Sequence, residues 1–271
     1  MAVFPERRRT RRGEANAEIT SIDSDASALD RAVAADLLLR HLFVPPAQRI
    51  EGIEYAAIYR FAEKHSGGDV IDVYCCAGEK ICFSLTDISG KGVQAALHAG
   101  LVKYGIRAFA SERQTAGTVL RALNRFYLEN DTFERTDSFA SVFFSQYDPI
   151  DRTLTYASAG HEGIVISLPR DGVQTLAPTG PLIGIFPDEP GLFSEVSIKV
   201  PPASIVLAVS DGVTEARHGG DLFGMDPLMA ALRSNGTHTM TDLCCEVARS
   251  AVRFSHQHVI DDIAVLAARF P

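Results

Sequence analysis

The sequence contains no run of apolar residues long enough to cross a membrane. A transmembrane helix needs roughly 18 or more such residues in a row, and none of the 271 residues lies in a stretch of that kind. The apolar core of a secretory signal peptide is also missing after the N-terminus. We therefore expect a soluble, cytoplasmic protein that makes no contact with a membrane.

Cysteine is scarce, and its spacing does not suit a metal site. The chain has two adjacent pairs and one single residue, without any C-x-x-C motif: Cys75, Cys76, Cys82, Cys244 and Cys245. This pattern is not typical of a structural zinc site, and an odd number of cysteines is a poor basis for a disulfide framework. We predict small, buried thiols in a reducing compartment.

Basic charge is in deficit outside the N-terminus. The chain has 26 lysines and arginines against 34 acids, a net charge of −8, and residues 1–12 alone contribute +4 through five arginines and one glutamate. An acidic body argues against a nucleic-acid-binding domain. Residues 1–25 are polar and charged, so we predict a disordered basic tail.

Internal repeats are absent from residues 50–271, which we interpret as a single domain spanning 47–271. Apolar periodicity before it predicts a linker or regulatory helix within 26–46, which could pack on the domain or pair with a second copy. Alternation predicts strands, and a period of 3.6 predicts helices. The strands are 53–61, 70–76, 81–85, 139–147, 154–157, 164–168, 173–176, 196–200, 205–209 and 263–267, and the helices are 91–112, 116–129, 226–233 and 240–254. This order predicts an α+β fold with two antiparallel sheets and a helix pair outside each.

Acidic residues stand at the ends of several predicted strands. Asp69 and Asp87 flank the hairpin of 70–76 and 81–85, Asp211 follows a strand directly, and Asp261 and Asp262 precede the last strand. One such aspartate is usually only a turn former, but the recurrence predicts a shared site. Carboxylates without paired histidines or cysteines select hard cations such as Mg²⁺ or Mn²⁺. A pair of these ions activates a water and clamps a phosphoryl group, so the residues suggest hydrolysis of a phosphate ester.

Five motifs, in this order and spacing, resemble those of the PPM (phosphatase 2C-like) family, and most closely its bacterial SpoIIE/RsbU branch, over about residues 50–269. They are Gly67-Gly68-Asp69, the DISGKG run at 87–92, Ala159-Gly160-His161, the SDGVTEA run at 210–216 and Asp261-Asp262. The resemblance implies a four-layer α-β-β-α sandwich, here with an N-terminal helical extension, and a centre of two Mn²⁺ or Mg²⁺ ions. It also implies hydrolysis of phosphoserine or phosphothreonine, usually on a STAS-domain anti-sigma-factor antagonist.

The same resemblance implies roles for individual residues. Asp87 matches the acid that bridges both metals, and the backbone carbonyl of Ile88 matches a ligand of one of them. Asp211 and Asp261 match ligands of the other metal. Asp69 matches the acid on the opposite side, which binds metal directly or through water.

Four further residues beside these motifs need an interpretation. The resemblance implies that Asp262 supports the metal ligands. It gives Ser89 and Lys91 no established role, so we interpret both as loop residues rather than as a nucleophile and a phosphate binder. His161 could act as a general acid, but we favour a hydrogen-bonded structural histidine.

The departures from the family pattern leave every expected ligand in place. Residues 70–71 and 162–163 differ from the usual aromatic pair and prolines, and the phosphate-clamping arginine of eukaryotic relatives has no clear counterpart. Two alternatives stay open, namely a non-catalytic phosphatase-like binding module and a small-molecule phosphoesterase. Control by self-association through the predicted N-terminal helix, or by an activating partner, is a further hypothesis.

Overall fold

Two five-stranded antiparallel sheets form the centre of the protein. The computed structural model describes residues 42–45, 49–62, 67–76, 78–90, 92–112, 114–130, 138–234 and 239–271. The predicted tail at 1–25, and the predicted helix within 26–46 apart from 42–45, lie outside the described residues.

One sheet is built mainly from strands that follow each other in the chain, whereas the other joins strands that are mostly far apart in the chain. Sheet I has the order β1-β12-β9-β6-β7, and sheet II has the order β2-β3-β4-β5-β8. The strands are β1 Glu54–Arg60, β2 Asp69–Cys75, β3 Ile81–Ile88, β4 Ala140–Asp148, β5 Thr153–Ala159, β6 Ile164–Leu168, β7 Gly172–Thr175, β8 Val196–Lys199, β9 Ile205–Val209, β10 Arg217–His218, β11 Asp221–Leu222 and β12 Ile263–Arg269. Within the described ranges, the short strands β10 and β11 form a separate two-stranded sheet.

Five helices of the described residues accompany the sheets: α1 Val93–Ser111, α2 Ala116–Glu129, α3 Asp211–Thr214, α4 Asp226–Ser234 and α5 Met240–Phe254. The longer ones begin and end close to the predicted positions. Helix α5 starts at a capping box, in which Thr239 Oγ accepts from the Asp242 backbone N–H at 3.1 Å. None of the described helices combines the length and the apolar character that crossing a membrane requires.

Three apolar clusters hold four layers together. One lies between the facing sheets and includes Ile71, Phe143 and Leu266. A second packs α1 and α2 on sheet II, and a third packs α4 and α5 on sheet I. The predicted four-layer α-β-β-α sandwich is therefore confirmed, because alternate residues of each sheet face the opposite sheet and the helices.

Local expectations were wrong in three places. Strand β3 runs to Ile88 rather than to 85, because polar residues near its end interrupt the apolar pattern from which its length was predicted. The one-turn helix α3 and the hairpin of β10 and β11 are too short to show a period. The thiols are not uniformly buried, since Cys82 and Cys244 are buried but Cys75 is exposed.

Candidate metal centre

A cross-strand pair of aspartates lies at one end of sheet II. Asp69 is the first residue of β2 and is the direct partner of Asp87 in β3. Both therefore lie inside the strands, whereas the sequence analysis had placed them just outside. Residues directly opposite each other in an antiparallel pair have side chains on the same face. On its other side Asp87 is paired with Ser141 of β4. Register alone therefore brings two carboxylates and one hydroxyl together.

Burial and nearby negative charge raise the pKa of both carboxyl groups. Burial, and after it the charges of Asp211, Asp261, Asp262 and Glu215, raises the pKa of Asp87 to about 7. Burial raises the pKa of Asp69 well above its usual range, and the neighbouring Asp87 adds to that effect. Two close carboxylates resist ionising together unless positive charge is near.

One oxygen of Asp69 is without a partner among the described residues. Asp69 is 3% exposed, and its Oδ2 is buried without a hydrogen bond. A buried acceptor that is left unsatisfied costs about 1–3 kcal/mol. An atom of this kind beside a second carboxylate is suited to a cation.

A glycine allows the Ile88 carbonyl to come close to this pair. The Ile88 backbone N–H donates to the Gly68 carbonyl at 3.1 Å. A Cβ on Gly68 would lie 2.7 Å from the Ile88 carbonyl oxygen, which is too short for any real side chain. Gly68 is therefore required for the backbone contact rather than for an unusual turn.

The other two predicted ligands come from separate segments that meet at Gly212. Asp211 is the first residue of α3, and Asp261 lies just before β12. A Cβ on Gly212 would lie only 1.9 Å from the Asp262 carbonyl oxygen. This approach holds Asp211 next to Asp261, and both side chains are exposed at the surface of the site.

Asp262 is buried and both of its carboxylate oxygens accept hydrogen bonds, whereas its neighbour Asp261 is exposed. Its carboxylate accepts hydrogen bonds from Tyr59 Oη at 2.6 Å and from the backbone N–H groups of Ala62 and Gly67 at 2.7 Å each. The Tyr59 ring in turn stacks on Phe43, with ring centroids 5.5 Å apart. Asp262 thus ties the segments after β1 and before β2 to the start of β12, and its support of the metal ligands stays a prediction.

His161 is buried between two hydrogen bonds. Its Nε2 lies 3.1 Å from the Val209 carbonyl oxygen and its Nδ1 lies 2.9 Å from Ser141 Oγ. A carbonyl only accepts, so Nε2 carries the proton and Nδ1 accepts from Ser141. Burial lowers the pKa of His161 to about 4. The ring is therefore neutral near pH 7, and this arrangement supports a structural role.

The loop after β3 accounts for Ser89. Its Oγ accepts from the Phe139 backbone N–H at 2.8 Å, and its own N–H donates to the Phe139 carbonyl at 2.9 Å. Ser89 therefore joins two loops, as the sequence analysis favoured. Lys91 lies outside the described residues.

A cavity of about 230 Å³ brings three of the four predicted acids to one surface, while Asp69 is buried beside Asp87 and does not line it. Its lining includes Asp87, Ile88, Asp211 and Asp261. A neighbouring cavity of about 240 Å³ shares Asp87 and Asp211 with it and adds Glu215. In the part of the chain that the structure describes, no three His, Cys, Asp or Glu side chains form a cluster that could hold a metal ion by themselves.

The donors nevertheless fit hard cations by their chemistry. Carboxylate and carbonyl oxygens are the ligands that Mg²⁺ and Mn²⁺ prefer. The orphaned Asp69 Oδ2 and the raised pKa of Asp87 both report negative charge that the described side chains do not neutralise. The chemistry of these donors therefore suits a divalent cation, and the predicted set of ligands stays a prediction.

Sequence reasoning missed several residues of this site. Tyr59 donates to Asp262, and Ser141 is hydrogen-bonded to His161. Glu215 and Leu182 line the second cavity. Tyr59 and Asp262 are 203 positions apart, so no local pattern joins them. For Glu215 the signal was present, because it stands in the same run as Asp211.

Comparison with known proteins was made for sequence and for structure. The family model described as stage II sporulation protein E (SpoIIE) matches residues 77–271. The chain is 25% identical over 222 residues to phosphoserine phosphatase RsbU of Bacillus subtilis, which covers 81% of this chain and 64% of RsbU. It is 30% identical over 194 residues to protein IcfG of Synechocystis sp., covering 62% of this chain and 30% of IcfG. The chain thus spans less than two thirds of the length of these curated relatives.

Solved structures share the fold at lower identity. The RsbU and RsbW domains of Rv1364c from Mycobacterium tuberculosis match with a TM-score of 0.68 and 22% identity, covering 84% of this chain and 62% of that one. RsbX in complex with magnesium matches with a TM-score of 0.62 and 14% identity, covering 83% of this chain and 98% of that one.

Proposed function

The chain belongs to the SpoIIE family, and on that premise we propose that it is a Mg²⁺- or Mn²⁺-dependent phosphatase that hydrolyses phosphoserine or phosphothreonine on a partner protein. One observation carries the proposal. The register of β2 and β3 buries Asp69, with one carboxylate oxygen unsatisfied, beside Asp87, and Asp87 lines a cavity together with Asp211 and Asp261.

Four aspartates and one carbonyl hold the metal in this proposal. Asp87 would be central because it lines the cavity together with Asp211 and Asp261, and Ile88 lines the same cavity. Asp69 would bind from the side of β2, directly or through water. Two ions held there would lower the pKa of a water and neutralise charge on the phosphoryl oxygens, so no nucleophile from the protein would be needed. The magnesium in the RsbX structure supports this choice of ion.

The remaining residues position these ligands. Asp262 accepts three hydrogen bonds and fixes the segment that carries Asp261. Gly68 and Gly212 allow the backbone contacts that bring the four acids together. His161 keeps Ser141 oriented beside Asp87 through the bond between Nδ1 and Oγ.

The partner is a phosphorylated STAS-domain protein in this proposal. Support comes from the similarity to RsbU, a phosphoserine phosphatase, and from the likeness to the RsbU and RsbW domains of Rv1364c. A cytoplasmic location and self-association through residues 26–46 stay predictions. A non-catalytic module is the weaker alternative because none of the four acids is replaced, and a small-molecule phosphoesterase is tested below.

Phosphate release from phosphorylated STAS-domain proteins with Mn²⁺ is the direct test. We expect turnover by the wild type and a loss of at least about a thousandfold in Asp87→Asn, since the central metal ligand is removed. Asp171→Asn changes an exposed turn aspartate and is the matched control. Absence of turnover at every Mn²⁺ and Mg²⁺ concentration would refute the proposal, and equal turnover on nucleotides or sugar phosphates would favour the small-molecule alternative.

A further inference from the structure

Two apolar side chains, which we call the apolar wall, line the same cavity as the acids. Phe139 and Leu182 line the same 230 Å³ space as Asp87, Asp211 and Asp261. Phe139 leaves 39% of its surface exposed. Neither metal binding nor hydrolysis of a phosphate group needs apolar side chains, because carboxylates, carbonyls and water supply all the ligands. The wall therefore has another use.

Hydrogen bonds fix the Phe139 side of the wall. The Ser89 hydroxyl accepts from the Phe139 N–H, and the Ser89 N–H donates to the Phe139 carbonyl. The next residue, Ala140, exchanges two backbone hydrogen bonds with Ile183, at 2.9 and 3.1 Å. Phe139 is thus attached both to the loop that follows Asp87 and to the segment that carries Leu182.

Leu182 is held equally firmly. It packs on Gly160, where a Cβ would lie 2.6 Å from Leu182 Cδ2. The Gly160 N–H donates to the Gly180 carbonyl at 2.9 Å, so the segment is bound on both sides of Leu182. An apolar surface that is already ordered loses little side-chain entropy when a ligand covers it, and it favours apolar groups.

We propose that Phe139 and Leu182 form a subsite that selects phosphoserine or phosphothreonine segments with an apolar residue next to the phosphorylated one. The inference rests on the proposed function, because it places the phosphate at the acids. It adds the substrate class, namely an apolar-flanked phosphopeptide segment rather than a free phosphate ester. Covering half of an exposed phenylalanine is enough for a preference of about tenfold, or about 1.4 kcal/mol.

Two phosphoserine hexapeptides test the subsite. They differ only in having leucine or serine on both sides of the phosphoserine, and O-phosphoserine serves as the substrate without flanks. We expect wild-type kcat/KM with Mn²⁺ to be about tenfold higher for the leucine peptide. Phe139→Ala should reduce that ratio to about two or less and leave turnover of O-phosphoserine within twofold. Phe139→Leu should restore most of the preference.

The chain offers a matched control in Phe186. It is 50% exposed on the segment that follows Leu182, but it does not line the cavity. Phe186→Ala should keep the tenfold ratio. No preference in the wild type, an unchanged ratio in Phe139→Ala, or an equal loss in Phe186→Ala would each overturn the subsite.

A binding measurement separates this inference from the proposed function. Fluorescence anisotropy of the labelled peptides, with Mn²⁺ present, gives affinities without turnover. If no substrate is hydrolysed but the leucine peptide still binds about tenfold tighter, and only Phe139→Ala removes that difference, the subsite stands and the phosphatase activity fails. If hydrolysis occurs without a binding preference, the reverse holds.

Discussion

Two buried aspartates of the same strand have opposite surroundings. Asp72 points toward the helices and is 1% exposed, and α1 supplies it with two cations. Arg107 donates through Nε and Nη2, and Lys103 Nζ lies 3.7 Å away. Asp69, three residues earlier, is 3% exposed and its Oδ2 has no partner among the described residues.

The difference separates a structural acid from a binding acid. Burying a carboxylate is costly unless it is paired, and at Asp72 the chain provides the pairing itself. At Asp69 the nearest charges are other carboxylates. The comparison teaches that the buried acid facing the helix layer is neutralised by the protein itself, whereas no described cation neutralises Asp69, as the proposed metal site requires.

The largest expected change in stability comes from removing Asp72, the acid that is paired inside the protein. Asp72→Asn should lower the free energy of unfolding by about 3 kcal/mol, because the buried Lys103 and the half-buried Arg107 lose their counter-charge. Asp69→Asn without metal should cost nothing or stabilise, since it removes a repelled charge. Urea unfolding in EDTA measures both. Equal losses in the two variants would contradict the distinction.

A smaller effect is expected from pH in the absence of metal. The folded pKa of Asp87, about 7, is above the unfolded value near 4, so the native state holds a proton that the unfolded chain has released. Stability should therefore fall, by about 1–3 kcal/mol, as pH rises from about 4 to 7. Thermal or urea unfolding at several pH values in EDTA measures this.

The control for that prediction is the variant without the titrating group. Asp87→Asn should have a flatter profile between pH 4 and 7. Added Mn²⁺ should stabilise the wild type above pH 7 and much less at pH 5, because protons compete with the cation for the carboxylates. A wild-type profile that rises with pH in EDTA would contradict the argument.

The smallest expected effect refines the internal pair. Arg107 binds Asp72 through two nitrogens, and its guanidinium carbon lies 4.4 Å from the centroid of the Tyr74 ring. Arg107→Lys keeps the charge but loses the forked geometry and part of the stacking, so we expect a loss of about 1 kcal/mol. Urea unfolding measures it, and an unchanged midpoint would show that charge alone is sufficient at this position.

The sequence predicted the layers and the acids better than their supports. Alternation and helical periods located the two sheets, and the hairpin argument brought Asp69 next to Asp87. It missed that Asp72 is paired, because Arg107 stands 35 positions later and side-chain pairing across layers leaves no periodic signal. The Tyr59 bond to Asp262 escaped for the same reason, over 203 positions. Boundaries failed where polar functional residues interrupt a strand, as at the end of β3.

The contact at Gly212 limits how this site can vary. With room only for a hydrogen atom between the α3 backbone and the Asp262 carbonyl, any larger residue pushes apart two segments that lie about fifty positions from each other in the chain. Asp211 and Asp261, which lie on those segments, would then move away from each other. Gly212 carries no reactive group, but the short distance between the two backbones allows no other residue at this position.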